Sequence, residues 1–92
     1  MMGSDEFCSA AIREIVEYVN NSLYKRDLIV ITPHDVYNVW YCKTLQNHKA
    51  LFTTSLRDGV YFECTYNGNI DEMYIDVYKK AENIAIRFGG KA

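Results

Sequence analysis

Residues 50–66, ALFTTSLRDGVYFECTY, predict a β-hairpin. Both ends of this stretch are rich in β-branched and aromatic side chains, which favour strands, and Arg57-Asp58-Gly59 supplies a turn between them. A three-residue loop would pair Phe52 with Cys64 and gather nearly all the large apolar side chains on one face. A two-residue loop would scatter them over both faces, which burial opposes. We therefore expect a three-residue loop, with Gly59 in the left-handed backbone conformation.

The N-terminal part of the chain predicts one long helix, from about Ser4 to Leu23. Its apolar residues recur every three or four positions and would form a single stripe, made of Cys8, Ala11, Ile12, Ile15, Val16, Val19 and Leu23. Asp5 and Glu6 suit the positive end of the helix dipole. We expect the stripe to pack on the hairpin and to bury one shared core, made of Ile12, Ile15, Val19, Phe52, Phe62 and Cys64.

The segment between the helix and the hairpin fits more than one structure. Leu28–Ile31 is apolar and β-branched, and it suits either a short edge strand or an extended connection. The proline of Thr32-Pro33-His34-Asp35 fits a turn and also the start of a helix from Pro33 to about Gln46. Residues 36–42 are dense in β-branched and aromatic residues, which favours a strand. We expect three strands in all, near residues 36–42, 50–56 and 60–66.

The connection before the hairpin determines which side of the first strand faces the core. An odd-length loop around residues 46–48 places Trp40 and Cys42 on the core face, whereas an even-length loop would push Lys43 into it. Burial of an unpaired lysine is costly, so we expect the odd-length loop. The opposite face of the sheet would then carry Tyr37, Val39, Tyr41, Lys43, Leu51, Thr53, Tyr61, Glu63 and Thr65.

The C-terminal segment, residues 71–85, fits two patterns. As a strand, its apolar residues from Met73 to Val77 alternate with polar or tyrosine positions. As a helix, it has a longer apolar stripe and a favourable pair four residues apart, Asp76 with Lys80. The helical pattern covers more residues, so we expect a helix there.

These elements define an α+β fold with an N-terminal helix, a three-stranded antiparallel β-meander with or without a short extra edge strand, and a C-terminal helix. The length of 92 residues corresponds to a single domain over 1–92, with its ordered part at about 4–88. The formal net charge of −2 gives no overall field that favours nucleic acid or an anionic membrane. No apolar run approaches the length of a membrane span, and the first residues do not resemble a signal peptide.

The residues that carry chemistry are scattered. Cys8, Cys42 and Cys64 lie far apart without a CxxC pair, and their odd number favours a reducing cytoplasm. His34 and His48 stand alone, without ligand pairs at metal spacing. The sequence also lacks a glycine-rich phosphate cradle and the common hydrolase motifs. We expect no catalytic residue, no cofactor and no metal site.

Three stretches, residues 35–50, 58–68 and 74–80, resemble a group of small uncharacterised proteins from phages and prophages of Gram-positive bacteria. The most distinctive part is Lys43-Thr44-Leu45-Gln46-Asn47. The resemblance implies a phage accessory protein that acts in the cytoplasm of the bacterial host. It supplies no catalytic residues to transfer to this chain.

The leading functional hypothesis is a non-enzymatic protein-interaction module without membrane contact. Its partner would be a host or phage protein, or a second copy in a homodimer, bound through Tyr37, Val39, Tyr41, Lys43 and Tyr61. The alternative is a single-stranded nucleic-acid binder that uses the basic aromatic hairpin 36–57, with Lys43, His48, Lys49 and Arg57. A third hypothesis, a small-molecule or nucleotide binder, rests on analogy alone.

Overall fold

One helix packs on one face of a four-stranded antiparallel sheet in the computed structural model, which describes residues 2–23 and 29–89. The helix, α1, spans Ser4–Tyr18 and continues into a π-helical turn, Val19–Leu23. The strands lie side by side in chain order, as β1 Val36–Thr44, β2 Asn47–Thr54, β3 Val60–Asn67 and β4 Glu72–Lys79. Below, the inner face of the sheet is the one that α1 covers, and the outer face is the opposite one.

The core lies between α1 and the inner face. The helix contributes a row of buried residues at intervals of four, namely Phe7, Ala11, Ile15 and Val19. The sheet contributes alternate residues of its two central strands, chiefly Ala50, Phe52, Phe62, Cys64 and Tyr66. The predicted core is confirmed except for Ile12, which is half-buried, because the helix turns its Phe7 row toward the sheet. Each large side chain buried here contributes about 1.5–3 kcal/mol of hydrophobic stabilisation.

Of the two alternatives for residues 28–31, the edge strand is absent from the described part, residues 29–31, which belong to the connection between α1 and β1. Leu28 lies outside the described residues. The Asn20 side chain instead pairs with the backbone of Ile31, accepting from its N–H at 2.8 Å and donating to its carbonyl at 3.0 Å. This amide satisfies both backbone groups of Ile31, so that residue needs no neighbouring strand.

The first strand confirms the strand prediction for residues 36–42 over the competing helix. Pro33–Asp35 form only a short 3₁₀ turn, closed by the Asp35 carboxylate, which accepts from the Thr32 N–H at 2.9 Å. The turn into β2 contains two residues, Leu45 and Gln46, so the expected odd-length loop is wrong. A β-bulge at Val39 compensates for the even turn by shifting the register of β1.

The β2–β3 hairpin keeps the predicted faces but not the predicted register. Phe52 pairs with Phe62 rather than with Cys64, and five residues, 55–59, connect the strands instead of three. Ser55 does not pair with β3 and bonds to Asp35 instead. Its backbone N–H donates to the Asp35 carbonyl at 2.9 Å, and its hydroxyl donates to the Asp35 carboxylate at 3.0 Å. The shift is an even number of residues, so the same side chains still face the core.

The expected C-terminal helix is wrong, since most of that segment forms β4 and no α-helix follows it within residues 72–89. Its alternating residues Met73, Ile75 and Val77 pair with the inner-face residues of β3. Pairing with β4 also satisfies the backbone groups along the edge of β3. A separate helix in this segment would leave those groups without a neighbouring strand. The sheet therefore has four strands and not three.

Replacement of Phe62 by alanine tests the position of the core. Phe62 is completely buried, so we expect Phe62→Ala to lower the free energy of unfolding by about 3–5 kcal/mol in a denaturant titration. The matched control is Phe88→Ala, because Phe88 is 87% exposed and its loss should cost less than about 0.5 kcal/mol. Equal losses in the two variants would contradict this core.

Replacement of Gly68 tests the contact between the two turns at one end of the sheet. A Cβ atom at Gly68 would overlap the carbonyl oxygen of Gln46, so Gly68→Ala should cost about 1–3 kcal/mol in thermal or denaturant unfolding. Gly3→Ala serves as the control: the nearest atom to a Cβ there is 3.8 Å away, so its loss of stability should be limited to about 0.5 kcal/mol from the weaker N-cap of α1. Unchanged stability of the Gly68 variant would show that the turns do not touch.

Candidate functional site

The outer face of the sheet is not covered by the helix. The part of the chain that the structure describes contains a single α-helix, and that helix lies on the inner face. Strand pairing arranges the outer-face side chains in rows that cross the sheet. Each row holds one residue from every strand, with neighbours about 5 Å apart.

One of these rows is mostly tyrosine. Tyr37 pairs with Thr53, Thr53 pairs with Tyr61, and Tyr61 pairs with Tyr78. We call these four residues the tyrosine row. Its two outermost members, Tyr37 and Tyr78, are each 53% exposed. The row therefore presents amphipathic rings to solvent across the full width of the sheet.

The rows next to it add further aromatic and apolar groups. The second row consists of Trp40, Leu51, Glu63 and Asp76, and the third of Cys42, Lys49, Thr65 and Tyr74. The third row and its surroundings form a depression of about 350 Å³, lined by Trp40, Cys42, Thr44, Asn47, His48, Lys49 and Thr65. The depression lies on an open sheet face, whereas small-molecule sites enclose most of the ligand.

The outer face is acidic. Its strand residues include the carboxylates of Glu63, Glu72 and Asp76 but only one cation, Lys49, whose Nζ lies 3.8 Å from a carboxylate oxygen of Glu63. The Asp76 carboxylate, followed by that of Glu63, raises the pKa of Tyr78 above its ordinary value. Negative charge therefore surrounds one end of the tyrosine row.

The structure divides the predicted partner-binding residues between the two faces. Tyr37 and Tyr61 lie on the outer face as expected, but Tyr41 and Lys43 lie on the inner face, and Val39 forms the bulge. The predicted assignment of β1 side chains to the two faces is correct up to Asn38 and wrong after it, because the bulge reverses which side chains face the core. Lys43 avoids the cost of burial because it is exposed near the end of the strand.

The same reversal brings other residues to the outer face that sequence reasoning assigned elsewhere. Trp40 and Cys42 were expected in the core, yet both are exposed on the outer face. Tyr74 and Tyr78 were assigned to a helix and instead occupy the outer face of β4. The alternation of residues 73–77 was the signal that could have found them.

Tyr41 and His48 form a structural pair beneath α1. His48 is buried, its Nε2 lies 2.8 Å from the carbonyl oxygen of Met2, and its Nδ1 contacts the Tyr41 hydroxyl. A carbonyl only accepts, so Nε2 carries a proton, and in the neutral ring Nδ1 accepts from Tyr41. The ring of Phe7 stacks on His48 at a centroid distance of 5.1 Å. His48 thus ties the start of the chain to β2.

The nucleic-acid residues of the alternative hypothesis do not form one surface. His48 is buried on the inner face, and Lys43 lies on that face too, while Lys49 lies on the outer face beside Glu63. Arg57 lies in the β2–β3 loop, at the other end of β2. These four residues therefore form no continuous basic path for a phosphate backbone.

Cys64 is the buried thiol of the core, whereas Cys42 is exposed on the outer face. Burial, with smaller contributions from nearby thiol and carboxylate groups, raises the pKa of Cys64 to about 12, which keeps it protonated at neutral pH. Residues 2–23 and 29–89 contain no cluster of three or more His, Cys, Asp or Glu side chains that could hold a metal ion. Within the same residues, no helix has the length and apolar character needed to cross a membrane.

Comparison with known proteins relates this chain to a family. Residues 8–88 match the family of unknown function DUF6275, so the chain belongs to that family. The match covers most of α1 and all four strands. A search of curated proteins and a search of solved structures each found no match.

Removal of the Tyr41 hydroxyl tests the structural role of the Tyr41–His48 pair. Tyr41→Phe leaves His48 Nδ1 without its donor in a largely buried position, so we expect a loss of about 1–3 kcal/mol in the free energy of unfolding. Tyr37→Phe is the matched control, because that ring lies on the outer face and half of it is exposed. Equal stability of the two variants would contradict the buried hydrogen bond.

Proposed function

We propose that this member of the DUF6275 family is a non-enzymatic protein-interaction module, and that its outer face binds a partner protein with basic and apolar side chains. The observation that carries the proposal is the tyrosine row on a face without a covering helix in the described residues. The resemblance to phage and prophage proteins supports, within the same proposal, an accessory role in the cytoplasm of a bacterial host.

The composition of the row is what a binding surface needs. A tyrosine ring buries a large area while restricting only two side-chain torsions, so it contributes affinity at a low entropic cost. A solvated sheet face has no need of three tyrosines in one row, with a tryptophan and a leucine in the next. Aromatic residues gathered on an open face are typical of contact surfaces.

The charge of the face indicates the chemistry of the partner. Glu63, Glu72 and Asp76 outnumber Lys49, so a partner surface with lysine or arginine is attracted, and a phosphate backbone is repelled. Arginine also stacks on aromatic rings, which favours it further beside Trp40 and Tyr78. This electrostatic pattern supports a protein partner over the nucleic-acid alternative.

Binding to a peptide array tests the proposal. Wild-type protein should bind a subset of peptides enriched in arginine or lysine together with apolar residues. The double variant Tyr37→Ser/Tyr61→Ser removes two rings of the row, and its affinity for the selected peptides should fall by at least about tenfold, since each lost contact residue commonly costs more than 1 kcal/mol.

The control is Ile84→Ser/Ile86→Ser, which removes two side chains that are also exposed but lie outside the strands. This control should bind like wild type, and NMR shifts on peptide addition should map to the outer face. Absence of binding peptides, or equal binding by both double variants, would overturn the proposal. Salt-sensitive binding of single-stranded DNA that Lys49→Ala abolishes would replace it with the nucleic-acid alternative.

A further inference from the structure

The two edges of the sheet differ. The edge strand β1 contains the bulge at Val39, which interrupts a regular ladder. The other edge strand, β4, pairs with β3 in unbroken register from Glu72 to Lys79 and contains neither a proline nor a bulge. Among the described residues, no strand pairs with its free side. Native sheets normally protect such an edge, because its unpaired N–H and C=O groups bind another strand.

The inner face of β4 is also incompletely covered. The helix packs over β1, β2 and β3, and the inner-face residues of β4 remain accessible at the side of the core. Met73 and Ile75 are half-buried, and Val77 is 41% exposed. An apolar strip therefore runs along a regular, unpaired edge.

We propose that two copies of this chain pair antiparallel through β4, about a twofold axis at Ile75, and form one continuous eight-stranded sheet. The two α1 helices would lie on the same side of that sheet. The inference concerns the edge and not the outer face, so it stands or falls separately from the proposed function.

Charge and the length of the ladder determine which residue of β4 lies on the twofold axis. A twofold axis pairs the central residue with its own copy, so only alignments that keep inner residues opposite inner residues are allowed. Centres at Ile75 and Asp76 both use nearly the full strand, while centres farther along it shorten the ladder. A centre at Asp76 would place two carboxylates directly opposite each other, which is unfavourable.

The centre at Ile75 places no like charges directly opposite each other within residues 72–78. Ile75 opposes Ile75 of the second copy, and Met73 opposes Val77 on either side of it. Lys79 at each end of the ladder reaches the β3–β4 turn of the second copy, where Asp71 carries the opposite charge. Lys80 and the exposed residues that follow β4 would run past that turn.

Substitutions of opposite charge at Ile75 test this dimer. Ile75→Lys and Ile75→Glu each place like charges opposite each other, so each variant alone should associate at least about a hundredfold more weakly than wild type in sedimentation equilibrium. An equimolar mixture should recover a heterodimer, because lysine then opposes glutamate. Circular dichroism checks that both variants stay folded.

The matched control uses Val77→Lys and Val77→Glu. Val77 shares the face and the edge with Ile75 but opposes Met73, so the mixture should gain no selective heterodimer over the separate variants. Wild type that sediments as a monomer at millimolar concentration would overturn the proposal. Selective heterodimers from the Val77 pair, or undiminished dimers from each Ile75 variant, would overturn it equally.

Discussion

The packing of one row of helix side chains, Phe7 to Val19, against the inner face is the interaction on which the other features depend. At intervals of four residues the row presents one narrow ridge, and the two central strands supply the surface beneath it. Because the chain forms a single α-helix within its described residues, only one face of the sheet can be buried in this way. The outer face and the β4 edge are what this arrangement leaves for contact with other molecules.

The bulge at Val39 reconciles two requirements that conflict along β1. Val36, near one end, must face the core, while Tyr41, farther along, must reach His48 beneath the start of the helix. A regular strand cannot do both, since these residues are an odd number of positions apart. One extra residue solves the problem, and as a consequence Trp40 turns to the outer face.

The fourth strand links the fold to the proposed functions. The C-terminal segment forms β4 and not a second helix that could cover the outer face. Tyr78 of β4 completes the tyrosine row. Because β4 pairs with β3, the free edge of the sheet is β4 itself, a regular strand with an apolar inner strip. Partner binding and self-association would thus use two different surfaces that arise from the same element.

Local sequence determined the elements with strong periodicity. The helix from Ser4, the strand at 36–42 and the faces of the β2–β3 hairpin follow from spacing and side-chain type, because burial penalises any other parity. The sequence therefore predicted six outer-face residues correctly, namely Tyr37, Leu51, Thr53, Tyr61, Glu63 and Thr65.

Only the tertiary structure decided the bulge, the length of the β2–β3 loop and the nature of β4. Each depends on a partner distant in sequence: His48 for the bulge, Asp35 for the loop, and the free edge of β3 for the last strand. Local propensity contains none of these energies, and for residues 71–85 it favoured a helix. The sheet overrides that preference because the pairing of β4 satisfies the backbone groups along the edge of β3 and covers more of the apolar inner face.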